Sequence, residues 1–146
     1  MKANELMIED WVDVDEPNKY AGAIGRIMSL QFHNNENAAY FQMSIQGKFG
    51  HCTIEVCSDD LRPIPLTAEI LEKNGFRIIF DDELHISYFQ DIKSFHIEVK
   101  IDKIGIYQKL SIFNGLGDGV TITECQFVHQ LQHALRLCGI DKTIEL

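Results

Sequence analysis

Apolar residues recur at three- and four-residue steps near the end of the chain. Phe127, Val128, Leu131, Ala134, Leu135 and Cys138 fall on one stripe of a helix expected over 124–139. That stripe marks core and leaves His129, His133 and Arg136 on the opposite, solvent-facing side. Elsewhere the period is two. Cys52, Ile54 and Val56 alternate with Thr53, Glu55 and Cys57, and Phe95, Ile97, Val99 and Ile101 alternate with His96, Glu98 and Lys100. Further extended stretches are expected at 6–14, 20–33, 39–45, 61–64, 76–80, 84–89, 104–113 and 120–123. Turns are expected at 33–37, 47–50, 81–83 and in the glycine-rich 114–119. Gly22 and Gly25 would allow a bend or bulge.

A second, shorter helix follows Pro65. Thr67 is a good N-cap, Glu69 lies in the first turn and Leu66 and Leu71 occupy the staple positions. Glu69 and Lys73 form an i,i+4 pair in the favourable orientation, and Asn74-Gly75-Phe76 reads as a Schellman ending with Phe76 set against Leu71.

The fold class is therefore α+β. An amino-terminal small antiparallel SH3-like β-barrel or meander is expected over 1–62. A helix, an antiparallel β-meander and a C-terminal helix are expected over 63–146, with both helices on one face of the meander.

Composition narrows the function classes. The 146 residues carry a formal net charge of -9. Residues 1–62 hold ten acids and five bases, and the remainder twelve and eight, so no basic patch stands out. Phosphate-backbone affinity depends on clustered cations, so direct nucleic-acid binding is disfavoured, as is an anionic membrane surface. The opening residues lack the apolar core of a signal peptide, and no apolar run approaches membrane-spanning length. A cytoplasmic location is expected, with Cys52, Cys57, Cys125 and Cys138 as free thiols.

No motif fixes a reaction. His129 and His133 stand four apart on one helix and could share a metal, with Cys125 one turn earlier. Gln130 stands where a zinc protease has its catalytic Glu, which removes the general base. The plain reading of the pair is a solvated polar face; the competing one is a metal-dependent hydrolase drawing acids from other strands. Residues 9–16 are acidic but lack the glycine and closing Glu of an EF-hand, so Asp13 and Asp15 on one side and Val12 and Val14 on the other suggest a half-buried strand. Gly115-Leu116-Gly117-Asp118-Gly119 has neither dinucleotide nor P-loop spacing. No catalytic residue, metal site or cofactor is assigned. A binding surface is placed on His129, His133 and Arg136, and on Trp11, the only Trp.

Three stretches resemble a known family. They are Met1-Lys2-Ala3-Asn4-Glu5-Leu6 with Ile8 and Trp11-Val12; Ile64-Pro65-Leu66-Thr67 with Ile70-Leu71 and Asn74-Gly75-Phe76; and Val128-His129-Gln130-Leu131-Gln132 with Ala134-Leu135 and Gly139. In this order they resemble small uncharacterised proteins of Bacteroides-type gut bacteria and their phages and mobile elements. Relatives often carry Gly-Asn before the aromatic residue. Glu9-Asp10 here weakens the expectation of a tight turn. The resemblance implies a genomic setting and no catalytic residues. Together with the charge it favours a non-enzymatic protein-binding or accessory module whose partner is another protein.

Overall fold

The computed structural model describes residues 6–15, 19–32, 39–46, 52–103, 108–122 and 124–146. The turns expected at 33–37 and 47–50, and the first residues of the strand expected from 104, lie outside them. The chain divides into two compact units, Met1–Ile64 and Pro65–Leu146. Among the described residues no helix is long and apolar enough to cross a membrane.

In the first unit β1 (Trp11–Val14), β2 (Ile24–Phe32), β3 (Ala39–Gln46), β4 (Cys52–Cys57) and β5 (Leu61–Pro63) form an antiparallel sheet in the order β4-β3-β2-β1-β5. A 3-10 turn, Ser58–Asp60, joins β4 to β5. The order is open, with β4 and β5 at its ends, so the described strands do not close into a barrel. Val12 and Val14 are fully buried on one face of β1, as the alternation predicts, and pack with Ile27, Phe41, Met43, Ile45, Ile54, Val56 and Leu61.

Residues 6–14 are not one extended run. Asp10 N–H donates to the Met7 carbonyl at 3.2 Å, and Met7 N–H donates to Asp10 Oδ2 at 2.8 Å, closing a tight turn before β1. Glu9 sits in it at φ 71°. The turn thus forms without a glycine at Glu9 or Asp10. At Gly25 β3 leaves no room for a side chain: a Cβ there would lie 2.5 Å from the Ser44 carbonyl oxygen. The bulge of β2 falls between Ile27 and Ser29, past both glycines.

The second unit holds α1 (Ala68–Lys73), β6 (Arg77–Asp81), β7 (His85–Ile92), β8 (Phe95–Asp102), β9 (Gln108–Asn114), β10 (Gly119–Ile122) and α2 (Val128–Leu137). Its strands run antiparallel in the order β10-β9-β8-β7-β6, a meander. Thr67 Oγ1 caps α1 by accepting from Ile70 N–H at 3.3 Å. Gly75, at φ 82°, ends it: Phe76 N–H reaches the Leu71 carbonyl at 3.0 Å and Gly75 N–H the Glu72 carbonyl at 2.9 Å, the two bonds of a Schellman motif. Leu66, Leu71 and Phe76 are all buried, as the staple and the ending require.

The helix α2 starts four residues later than its periodicity suggests. Phe127 is extended and bridges Pro65, while Leu66 N–H donates to the Gln126 carbonyl at 2.8 Å. Gln130 Oε1 folds back to accept from Gln126 N–H (2.7 Å) and Phe127 N–H (3.1 Å), satisfying amides that the helix leaves open.

Candidate functional site

The sequence places a binding surface on His129, His133 and Arg136, with His129 exposed. The structure corrects this: His129 is 5% exposed, and Gln132 beside it is also buried. The buried arc of α2 covers more than the apolar stripe, because Phe127, held off the helix by its bridge to Pro65, lays its ring on His129 with centroids 5.8 Å apart and planes 8° apart. His133 meets His129 edge-on at 5.6 Å. His133 and Arg136 are half-buried. The pair is thus part of an aromatic stack rather than a solvated face. Among the described residues no three His, Cys, Asp or Glu side chains come together in a group that could hold a metal ion.

Trp11 belongs to the other unit. It is half-buried on β1 opposite Arg26 of β2, whose guanidinium lies over the indole at 4.6 Å. That cation–π contact occupies its exposed ring face. Cys125 is no nucleophile either: burial pushes its thiol up to about 12, so it stays protonated at neutral pH.

Two other features of the second unit stand out. The first is a cavity of about 220 Å³ lined by His85, Lys100, Asp102 and Lys109. It forms on the polar face of the meander, where the register sets Ser87, Lys100 and Lys109 side by side across β7, β8 and β9 and pairs His85 with Asp102. The other face of the same strands carries Tyr88, Ile97, Val99, Leu110 and Ile112, all buried. Asp82 fixes the start of β7: its Oδ1 accepts from His85 N–H at 2.6 Å and Leu84 N–H at 2.8 Å. Those amides, His85 first and then Leu84, hold its carboxyl below the ordinary carboxylate range.

The second feature is β6. All five of its residues are exposed, and it lies at the edge of the sheet. Ile78, Ile79 and Phe80 are 47%, 53% and 50% exposed, with Leu84 at 51% just beyond the turn. Arg77 and Asp81 bracket the apolar run, and the pairing with β7 is bulged between Ile78 and Phe80.

Sequence reasoning found neither feature as a site. The alternation in 95–101 does put Lys100 on the polar face, but only the register of β8 with β9 brings Lys109 opposite it. The run Ile78-Ile79-Phe80 reads from sequence only as part of an extended stretch, since nothing local marks β6 as an edge.

Compared with protein-family models, curated protein sequences and solved structures, the chain gives no significant match.

Proposed function

We propose that this protein is a non-enzymatic, cytoplasmic protein-binding module that docks a partner along β6. The observation that carries the reading is the uninterrupted exposed run Ile78-Ile79-Phe80 on a sheet edge. An exposed apolar edge is an aggregation hazard that proteins ordinarily blunt. Here the bulge and the flanking Arg77 and Asp81 discourage flat stacking of identical edges, yet the apolar side chains remain in water. That combination suits a heterologous partner. The occupant that fits is a short extended protein segment with an apolar centre; Arg77 and Asp81 are already paired with Asp91 and Lys103, so the apolar side chains select it.

The acidic balance of the chain favours a protein partner over nucleic acid. For the first unit we propose an SH3-like barrel, supported by β1 lying between β2 and β5 and by the 3-10 turn that returns the chain to β1. The family resemblance adds a phage or mobile-element setting.

The test is comparative capture from host lysate using wild-type protein and Ile79→Asp. Ile79 is half-exposed and unpaired at the bulge, so the variant keeps the wild-type circular dichroism. One protein enriched by the wild type and lost by at least about tenfold with Ile79→Asp, the size expected for a buried hot-spot side chain, supports the proposal. Equal capture by both would overturn it.

A further inference from the structure

We infer that the cavity over β7, β8 and β9 is a carboxylate-binding site. Lys100 and Lys109 are directly opposed on neighbouring antiparallel strands, an arrangement that costs stability when nothing lies between the charges. Among the described residues neither ammonium group makes an ion pair, although the chain has an excess of acids. The two cations flank a cavity that His85 and Asp102 also line.

The charge of the lining selects the ligand. Among the described lining residues, two ammonium groups stand against one carboxylate, that of Asp102, a balance of +1 before the imidazole is counted, which matches a monoanion better than a dianionic phosphate. Asp102 repels the second charge of a phosphate while remaining an acceptor for a hydroxyl or amide N–H next to a bound carboxylate. Size agrees: about 220 Å³ is below the ~300–1,000 Å³ of sites for drug-sized ligands, so the cavity takes one functional group and its neighbouring atoms. Such a carboxylate has two sources, a free small acid or an acidic side chain of a bound protein segment. The site stands apart from the docking edge, since Lys100 and Lys109 lie on β8 and β9 and Ile79 on β6.

The experiment is a titration of ¹⁵N-labelled protein at constant ionic strength with three probes: sodium lactate (a monoanion with a hydroxyl beside its carboxylate), the capped peptide acetyl-Gly-Glu-Gly-amide, and inorganic phosphate. The Lys100→Gln/Lys109→Gln double variant runs in parallel. It folds at least as well as the wild type, because a like-charge pair is removed from a half-exposed surface. The expected result is saturable shifts of the Ser87, Lys100, Asp102 and Lys109 amides with a carboxylate probe, about tenfold or more weaker in the double variant. Saturation by lactate alone assigns the free acid as ligand; saturation by the peptide assigns a protein side chain. Tighter binding of phosphate than of both carboxylates would overturn the assignment. So would shifts that never saturate, or that are unchanged in the double variant.

Discussion

Lys93 and Glu9 both hold left-handed backbone without being glycine, at φ 56° and 71°. Lys93 is the first of the two residues that link β7 to β8, the position at which a tight hairpin of this kind favours glycine. Its exposed side chain gives little in return for the strain. Lys93→Gly should therefore stabilise the protein by about 0.5–1 kcal/mol, the relieved left-handed strain less the added freedom of the unfolded chain. A rise in the urea midpoint at unchanged slope checks it, and an unchanged midpoint would count against strain at this turn. Glu9 is a less clean case, because Arg26 Nη1 lies 3.4 Å from its carboxylate. The sequence weakened the case for a turn at Glu9-Asp10 by the absence of glycine. The turn forms nevertheless, because Asp10, fully buried, accepts from the Met7 amide and closes the loop from its side chain.

Among the elements, α1 was the most readable and α2 only half so. The signals that place α1 are local: the Thr67 cap, the buried Leu66 and Leu71 and the Gly75 ending lie within ten residues and occur as expected. The expected Glu69–Lys73 pair does not form, and Lys73 Nζ donates to the Leu146 carbonyl instead. The start of α2 was not readable, because it depends on Pro65 pairing with Phe127 across a long separation in sequence. The same cause hid the burial of His129. The cavity was hidden by register, which the alternation of β8 and β9 taken singly does not set.

Asn74 shows how a local signal can carry a distant role. The sequence assigned it only to the helix ending. In the structure its Nδ2 donates to the Ile70 carbonyl (2.8 Å) and the Glu145 carbonyl (2.7 Å), and its Oδ1 accepts from Glu145 N–H (2.9 Å). Lys142 Nζ reaches the Asn74 carbonyl at 2.6 Å and Gln90 Oε1 at 2.8 Å, so the last residues are tied to the end of α1 and to β7. Asn74→Ala should cost about 1 kcal/mol, since it removes the side-chain partner of part-buried backbone groups of Ile70 and Glu145. Faster amide exchange at Glu145 together with a lower urea midpoint is the expected outcome. A lower midpoint with unchanged exchange at Glu145 would mean that Asn74 matters only to its own helix.

At the scale of the molecule, charge and apolar exposure are distributed unevenly. A chain of net charge -9 sets Lys100 and Lys109 in one row of the meander and leaves, among the described residues, its longest exposed apolar run on the edge strand two places from β8. Neither arrangement helps the second unit fold: one opposes like charges, the other leaves isoleucine and phenylalanine in water. Features that cost stability without local compensation are where recognition is expected. The acidic balance was plain from composition, and it favours a protein as the partner to test. The location of the surface was not plain, because an edge strand is defined by what fails to pair with it.

The most direct test of docking through β6 is photo-crosslinking from a benzoylphenylalanine placed at Ile79, with the same label at Lys93, on the loop between β7 and β8, as control. A single covalent adduct with a heterologous protein, formed from the Ile79 site and not from the Lys93 site, is the predicted result. Crosslinking only to a second copy of this chain, or equal yields from both sites, would contradict it.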